Sequence, residues 1–236
     1  LQYSTNGAVW ESNYAAVYHL SDAASGAHDS TANALNAKNT YSVSNTASAA
    51  GRGGLFDGST SYINMGNNAA IEPTHLTLSA WVQVTGPGSN NDTSGSWLIS
   101  KGRVGVAPNV SYALAHLPGN GKLKLFLNGG ANVIESTTTH PANSPAFHVA
   151  ATYDGSHMRL YVNGQLNVYT ARSPVIGYGY ADRDLHIGGW NLSAQYPRRF
   201  KGLIDEVRIS KIARSADWIQ AEYLKLLTAV TKCCIA

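Results

Sequence analysis

The sequence predicts an all-β protein in which two antiparallel sheets pack as a jelly-roll sandwich, with one short helix near the C-terminus. Three observations predict this class: short runs of alternating apolar and polar residues, turn-forming dipeptides between the runs, and a single segment with helical spacing. The chain has 236 residues, enough to bury a substantial core in one domain. We expect this domain to cover residues 1–227 and residues 228–236 to form a disordered or cloning-derived tail.

The strands are predicted from a period of two. In LTLSAWVQV, Leu76–Val84, an apolar residue occupies every second position. Side chains of a strand alternate between its faces, so one face of this run would be buried. Asn163 followed by Gly164 is the strongest turn signal, because both residues tolerate the positive φ of a tight hairpin. Similar runs lie at residues 16–20, 61–65, 111–117, 122–127, 147–153, 157–163, 166–170 and 184–189.

Residues 215–227 are predicted to form the helix. Ser215 can cap its N-terminus, and apolar residues from Trp218 to Leu226 recur every three or four positions. Residues 86–95 are polar and are predicted to form a loop. No segment repeats with a period of about 20–50 residues, which disfavours a propeller or a solenoid. The tight turns and the lack of other long helices favour an antiparallel sandwich.

The composition excludes several classes of partner. Charged residues make up 13% of the chain and the net charge is +3, with the basic residues mostly scattered. A nucleic-acid-binding protein would show a basic face, so no nucleic acid is expected. No apolar run approaches the ~20 residues of a membrane span. Both cysteines, Cys233 and Cys234, lie at the C-terminal end, which excludes a disulfide scaffold.

The strand FKGLIDEVRIS, residues 200–210, carries a conflict between pattern and chemistry. On a regular strand Leu203, Val207 and Ile209 share one face, with Glu206 on the other. Asp205 falls in phase with the apolar set. A carboxylate on a core-facing stripe is costly unless a cation or backbone donors satisfy it, so Asp205 is predicted to belong to a site.

A series of segments follows one another in a recognisable order. It begins with VWESNYAAVYHLSD, DSTANALNA and GGLFDGSTSYINMG, continues with LTLSAWVQV, SWLISKG, AFHVAATYDGSHMRLYVNGQ and LHIGG, and ends with FKGLIDEVRISKIARSADWIQAEY. In this order the segments resemble the laminin-G-like, concanavalin A-like domains of secreted bacterial proteins. The resemblance implies a two-sheet jelly roll, a structural calcium ion (Ca2+) and often a glycan ligand. It also implies covalently linked neighbouring domains and an extracellular or cell-surface location.

The resemblance further implies which residues would bind calcium. The loop from Asp29 to Asn33 offers carboxylate, amide and carbonyl oxygens, and calcium takes about six to eight such ligands. In the resembled domains this loop meets the Asp of the IDEVRI segment. That maps the ligands onto Asp29, Asn33 and Asp205, with a carbonyl near Leu35. The alternative is that Asp29 forms an Asx turn and Asp205 accepts backbone donors.

A second candidate site is a loop-like, glycine-flanked segment rich in aromatic residues. Sugars stack their apolar C–H faces on aromatic rings, while Asn and Arg side chains hold hydroxyl or carboxylate groups. The arginine pair favours an acidic polysaccharide. The alternative is that Trp190 packs on a sheet edge, in which case the loop around Trp97 and Lys101 is the next candidate. The predicted carbohydrate-binding residues are Tyr178, Tyr180, Trp190, Asn191, Tyr196, Arg198 and Arg199.

No catalytic residues are predicted. A retaining glycosidase needs two carboxyl groups about 5–5.5 Å apart, and the adjacent Asp205 and Glu206 would face opposite sides of a strand. The sequence therefore predicts a non-catalytic, calcium-stabilised carbohydrate-binding module that binds a polysaccharide or glycan. Two alternatives stay open: a polysaccharide hydrolase or lyase without a sequence motif, and a structural or protein-interaction module without a glycan ligand.

Overall fold

The computed structural model describes residues 9–48, 51–89, 95–102, 110–179, 183–190 and 197–233, with side chains described as far as Leu227. These residues form fifteen strands, two short 3-10 turns and one helix. The strands are β1 (Tyr14–Tyr18), β2 (Asn39–Tyr41), β3 (Ser44–Ser48), β4 (Gly51–Asp57), β5 (Tyr62–Gly66), β6 (Leu76–Val84), β7 (Ser96–Gly102), β8 (Val110–Leu117), β9 (Lys122–Leu127), β10 (Asn132–Glu135), β11 (Phe147–Tyr153), β12 (His157–Val162), β13 (Gln165–Ala171), β14 (Leu185–Ile187) and β15 (Lys201–Ser210), and the helix α1 spans Ala216–Cys233.

The strands form two sheets, which confirms the predicted antiparallel sandwich. Sheet A has the order β13-β12-β11-β6-β15-β4-β3, and β1 pairs with β15 beside this path. Sheet B has the order β10-β9-β8-β7-β14-β5-β2. Neighbouring strands pair antiparallel in both sheets. The strands of each sheet come from distant parts of the chain, so residues far apart in sequence meet on its faces.

The core lies between the two sheets. The alternate apolar residues of β6, among them Leu78 and Ala80, are buried in it, as the period of two predicts. Leu114 of β8 and Leu125 of β9 join the same cluster from sheet B. The predicted hairpin is also confirmed, because Asn163 and Gly164 both have positive φ between β12 and β13.

Helix α1 covers part of the outer face of sheet A. The Ser215 hydroxyl caps it by accepting the backbone N–H of Trp218 at 3.2 Å. Ile219 packs among residues of β11 and β12, and Tyr223 stacks on Trp81 of β6 with ring centroids 5.7 Å apart. The helix continues past the predicted end at residue 227 and ends at Cys233. Within the described part of the chain, no helix combines the length and apolarity that crossing a membrane requires.

The side-chain phase predicted for β15 is wrong, because the strand contains a β-bulge. The pairing of β15 with β6 shifts register after Asp205, and Glu206 has a φ of 51°. Ile204 and Val207, three residues apart, both face the core. The extra residue of a bulge reverses the alternation, so Leu203 and Asp205 lie on the outer face of sheet A. Asp205 is therefore not a carboxylate facing the apolar core.

Candidate functional site

Asp29 lies at the centre of a hydrogen-bonded loop beside β1. Its Oδ1 atom accepts the backbone N–H groups of Val17 and Thr31, each at 2.9 Å. Its Oδ2 atom accepts the Thr31 hydroxyl at 2.8 Å and the Leu35 N–H at 3.0 Å. The bond from the Thr31 N–H is the Asx turn of the alternative interpretation. Four protein donors thus surround a carboxylate that was predicted to bind calcium.

The other predicted calcium ligands also have protein partners. The carbonyl of Leu35 accepts the Tyr18 hydroxyl at 2.9 Å, and the amide nitrogen of Asn33 donates to the Ala15 carbonyl at 2.9 Å. The carboxylate of Asp205 accepts the backbone N–H of the next residue at 2.8 Å and also accepts a serine hydroxyl from β3.

These donor sets do not fit a bound cation in the arrangement described. The N–H and O–H donors around Asp29 would have to leave before a calcium ion could take their place. Within the described residues, no group of three or more His, Cys, Asp and Glu side chains is placed to hold a metal. Calcium binding stays a prediction that rests on the resemblance.

The predicted carbohydrate-binding residues that the structure describes do not form one cluster. The hydroxyl of Tyr178 donates to the carbonyl of Pro73 at 2.8 Å, and its ring packs against the main core. Trp190 belongs instead to an apolar cluster on the outer face of sheet B. Tyr180, Asn191 and Tyr196 lie outside the described residues.

Trp190 is buried, although the sequence analysis expected an exposed ring. It is 5% exposed, and its ring lies 4.4 Å from that of Trp97 on β7. Ala113 and Ala115 of β8 share the cluster and leave room for the two indoles. Arg198 extends its guanidinium carbon to 5.9 Å from the Trp97 ring. Trp190 therefore packs against the sheet, as the alternative expects, but over the inner strands β7 and β8 and not at a sheet edge.

A second group of side chains lies on the same outer face, and we call it the Tyr62 cluster: Tyr41, Tyr62, His186 and Arg199. Tyr62 and His186 point outward because their neighbours in sequence face the core. Tyr41 stacks on Tyr62 at 4.3 Å, and the Tyr62 and His186 rings lie 6.2 Å apart. The Arg199 guanidinium carbon lies 4.0 Å from the Tyr62 ring centroid. Strand pairing of β2, β5 and β14 brings these residues together.

Arg199 is a buried cation with unused donors. It is 8% exposed, and its Nε and Nη1 atoms have no hydrogen-bond partner within the part of the chain that the structure describes. Burial lowers the pKa of Arg199, and Tyr62 and the carboxylate of Asp57 act in the opposite direction. Its side chain lies against Gly189, where a Cβ would fall 2.8 Å from the Arg199 Cδ. A buried charge without a hydrogen-bonded partner is costly, so the site favours an anion.

His186 completes the polar side of the Tyr62 cluster. Burial lowers its pKa to about 4, although Asp184 acts in the opposite direction. The ring is therefore neutral at pH 7. Its Nε2 atom also has no hydrogen-bond partner among the described residues. Tyr41, Tyr62 and His186 were not predicted from the sequence, because only the pairing of their strands brings them together.

A cleft of about 440 Å³, which we call the helix cleft, lies where α1 meets the segment before β1. Aromatic rings form its sides, and charged groups from β15 and α1 lie among them. This cleft was not predicted from the sequence, because its rings come from segments that are far apart in the chain. It is lined by Val9, Trp10, Glu11, Tyr14, Arg208, Trp218, Ala221, Glu222 and Lys225.

Two buried carboxylates share one arginine at the cleft. Arg208 binds Glu206 at 2.7 Å and lies 3.4 Å from Glu222, and His19 contacts Glu206 at 2.6 Å. Burial opposes ionisation of Glu222, but Arg208 and His148 outweigh it and lower its pKa to about 2. The pKa of Glu206 is lowered in the same way by His19 and Arg208. Both carboxylates are ionised at neutral pH, so neither is suited to be a general acid.

Three solved structures share this architecture. Domain 4 of AbnA, a GH43 extracellular arabinanase from Geobacillus stearothermophilus in complex with arabinotriose, is 18% identical with a TM-score of 0.63, covering 89% of this chain and 97% of that one. Trypanosoma rangeli sialidase in complex with sialic acid is 18% identical with a TM-score of 0.70, covering 94% of this chain and 34% of that one. Botulinum neurotoxin type C, whose cell entry depends on interaction with two ganglioside molecules, is 13% identical with a TM-score of 0.66, covering 91% of this chain and 51% of that one.

At these identities the structural similarity shows the fold alone. This chain spans about half of the neurotoxin chain and about a third of the sialidase. No curated protein is significantly similar to it in sequence. Residues 57–220, from the end of β4 into α1, match the family Laminin_G_3. Because this segment is more than half of the sequence, the chain belongs to the concanavalin A-like lectin/glucanases superfamily.

Proposed function

We propose that this domain is a carbohydrate-binding module whose Tyr62 cluster binds an acidic sugar residue on the outer face of sheet B. The observation that carries the proposal is the buried guanidinium of Arg199, with two nitrogens free of hydrogen bonds among the described residues. An arginine fork binds a carboxylate through two parallel hydrogen bonds. A uronate or sialic acid residue supplies that group.

The aromatic residues of the cluster supply the apolar half of the site. Tyr41 is 40% exposed although it stacks on Tyr62, so one side of the ring pair stays open to a ligand. Arg199 lies over the Tyr62 ring on the face opposite Tyr41, so one sugar residue of an oligosaccharide can stack on Tyr41 while the carboxylate of a neighbouring residue reaches Arg199. His186 offers a second polar contact through Nε2. Few polar groups among apolar surfaces are typical of ligand sites.

The similar solved structures support a glycan as the class of ligand. The arabinanase domain was solved with arabinotriose and the sialidase with sialic acid, a sugar that carries a carboxylate. The same architecture thus occurs in proteins solved with sugars, although a fold does not fix a function. We further propose that the domain works outside the cell or at the cell surface, linked to other domains of a secreted bacterial protein. The extracellular arabinanase, of which a fourth domain matches, supports this location.

The Tyr62 cluster also favours a second candidate function, a polysaccharide lyase. Arg199 would neutralise the uronate carboxylate, and neutral His186 would accept the proton next to it. Burial raises the pKa of Tyr62, so its phenol stays protonated and can donate. A binding module and a lyase would use the same residues. The appearance of unsaturated products separates them.

Calorimetric titration with oligogalacturonate tests the proposal. We expect the wild-type domain to bind the acidic oligosaccharide more tightly than a neutral one of equal length. Arg199→Gln should weaken this binding at least tenfold, about 1.4 kcal/mol. Arg172→Gln, which changes an exposed arginine after β13, is the matched control and should bind like the wild type.

Two further measurements complete this test. A thermal melt of Arg199→Gln shows whether the variant is folded, and an assay for reducing ends and unsaturated products detects catalysis. Equal affinity of the folded Arg199→Gln variant, or a preference for neutral oligosaccharides, would contradict an acidic-sugar site at Arg199. Unsaturated products that disappear in the variant would favour the lyase.

A further inference from the structure

The helix cleft is a second cavity with the features of a ligand site. It lies on the outer face of sheet A, on the opposite side of the sandwich from the Tyr62 cluster. Its volume of about 440 Å³ falls within the range of small-ligand sites, about 300–1,000 Å³. Trp10 and Tyr14 reach it from the start of the chain, and Trp218 from the first turn of α1.

The aromatic side chains of the helix cleft are held in place before any ligand arrives. Trp10 meets Tyr14 edge to face at 5.1 Å. The guanidinium of Arg214 lies 4.5 Å from the Tyr14 ring and 4.4 Å from the Trp218 ring, so one cation links two rings. Trp218 nevertheless stays 41% exposed. Fixed rings with open surface lower the entropy cost of binding a flat apolar ligand face.

The helix cleft also contains a buried donor without a partner. Arg208 is buried, and two of its nitrogens are engaged by Glu206 and Glu222. Its Nε atom has no hydrogen-bond partner among the residues that the structure describes. A buried N–H that lacks an acceptor is costly, and a ligand hydroxyl can supply that acceptor. Glu222 lines the same cleft as an acceptor for hydroxyl donors.

The charges around the helix cleft cancel. Two carboxylates, Glu11 and Glu222, and two cations, Arg208 and Lys225, line it. A site with balanced charge has no preference for an anion, in contrast to the Tyr62 cluster. From the rings, the free donor and the charge balance, we propose that the helix cleft binds a neutral hexopyranose residue. This site is separate from the proposed acidic-sugar site, and either can fail without the other.

Titration of the whole domain with cellobiose, lactose and maltose tests this proposal. Calorimetry measures affinity, and protection of tryptophan fluorescence from acrylamide reports whether the sugar covers the indoles. We expect at least one of these disaccharides to bind and to reduce quenching. Trp218→Ala should weaken binding at least tenfold. Tyr169→Ala, which removes a ring of β13 that is 62% exposed, is the matched control and should change nothing.

A second variant is needed, because Trp218→Ala also removes a partner of Arg214. Loss of binding in that variant alone would not distinguish a lost sugar contact from a folding defect. Ala221→Phe retains both Trp218 and Arg214 and adds a ring at an exposed helical position that lines the cleft, so it should block the disaccharide equally. No binding of any of the three disaccharides at millimolar concentration would overturn the proposal. Unchanged affinity in both Trp218→Ala and Ala221→Phe would also overturn it. Loss of disaccharide binding in Arg199→Gln alone would place the neutral sugar at the Tyr62 cluster instead.

Discussion

The partner of an aromatic ring, rather than its place in the sequence, decides what the ring can do in this domain. Trp190 follows a glycine pair and looks like an exposed loop residue, but Trp97 from β7 packs against it at a tilt and the two share a buried cluster. Tyr41 stacks on Tyr62 and keeps its other side open. Neither partner is close in sequence. The sequence pattern therefore singles out Arg199, whose role in binding stays a prediction, but not the tyrosines beside it.

Asp29 has a structural role that a single substitution can test. Replacing it by alanine removes one acceptor side chain from four donors, three of them backbone N–H groups. Each buried donor left without a partner costs about 1–3 kcal/mol. We expect Asp29→Ala to lower the free energy of unfolding by about 3 kcal/mol or more, measured by chemical denaturation.

The control for Asp29→Ala is Asp217→Ala, which removes an exposed carboxylate from the first turn of α1. Loss of a favourable interaction with the helix dipole should cost about 0.3–1 kcal/mol. Equal losses in the two variants would show that the hydrogen bonds to Asp29 do not hold the loop to β1.

Among the strands, regular ones followed their sequence pattern and the bulged one did not. The period of two in β6 predicted which residues face the core between the sheets, and the Asn163-Gly164 pair predicted the β12–β13 hairpin. In β15 the positive φ of Glu206 shifts the alternation by one residue. A bulge depends on pairing with neighbouring strands, so the sequence of β15 read by itself predicts the wrong face of the sheet for Asp205.

The attachment of α1 to sheet A should depend on pH through Glu222. Its folded pKa of about 2 lies below the ordinary value of 4.5 for a glutamate, so its stabilising contribution is present above about pH 4.5 and is lost as the pH falls toward 2. The full shift corresponds to on the order of 3 kcal/mol. We expect unfolding free energies measured across this range to fall less steeply in Glu222→Gln than in the wild type.

His186 must be separated from this effect, because its pKa is also lowered, to about 4. A buried neutral histidine loses its stabilising contribution as the pH falls from about 6.5 toward 4, in both proteins alike. Only the difference between the wild-type and Glu222→Gln curves reports on the helix. Parallel curves between pH 4.5 and 2 would show that Glu222 is not linked to folding.

For the molecule as a whole, the dense hydrogen bonding of the Asp29 loop predicts that the fold is stable without metal. We expect the melting temperature to be the same in chelator and in excess calcium. A site filled at 100 times its Kd would add about 2.7 kcal/mol, which corresponds to roughly 5–10 °C for a domain of this size. A shift of that size, restored by calcium and not by magnesium, would establish the ion that the resemblance implies.

The sandwich places the two proposed sites on opposite outer faces. The Tyr62 cluster lies on sheet B, and the helix cleft lies between sheet A and α1. Two sites of different charge on one rigid domain would let it bind two chains, or two parts of one branched glycan, with a gain in avidity. Fold class, the helix and the strands with a clear alternation could be predicted because they follow local patterns, whereas the polar strands β2 and β3 have no such pattern and were not predicted. The sites could not, because each joins segments that meet only through the sheets.

Chemical-shift mapping with trigalacturonic acid tests the central claim, that the outer face of sheet B binds an acidic sugar. Titration of the isotopically labelled domain should move the ring signals of His186, the guanidinium signal of Arg199 and the backbone signals of Tyr41 and Tyr62. Signals of α1, on the opposite face, should stay in place. Saturable shifts centred on the Tyr62 cluster are the predicted result. Shifts centred elsewhere, or none at millimolar ligand, would contradict it.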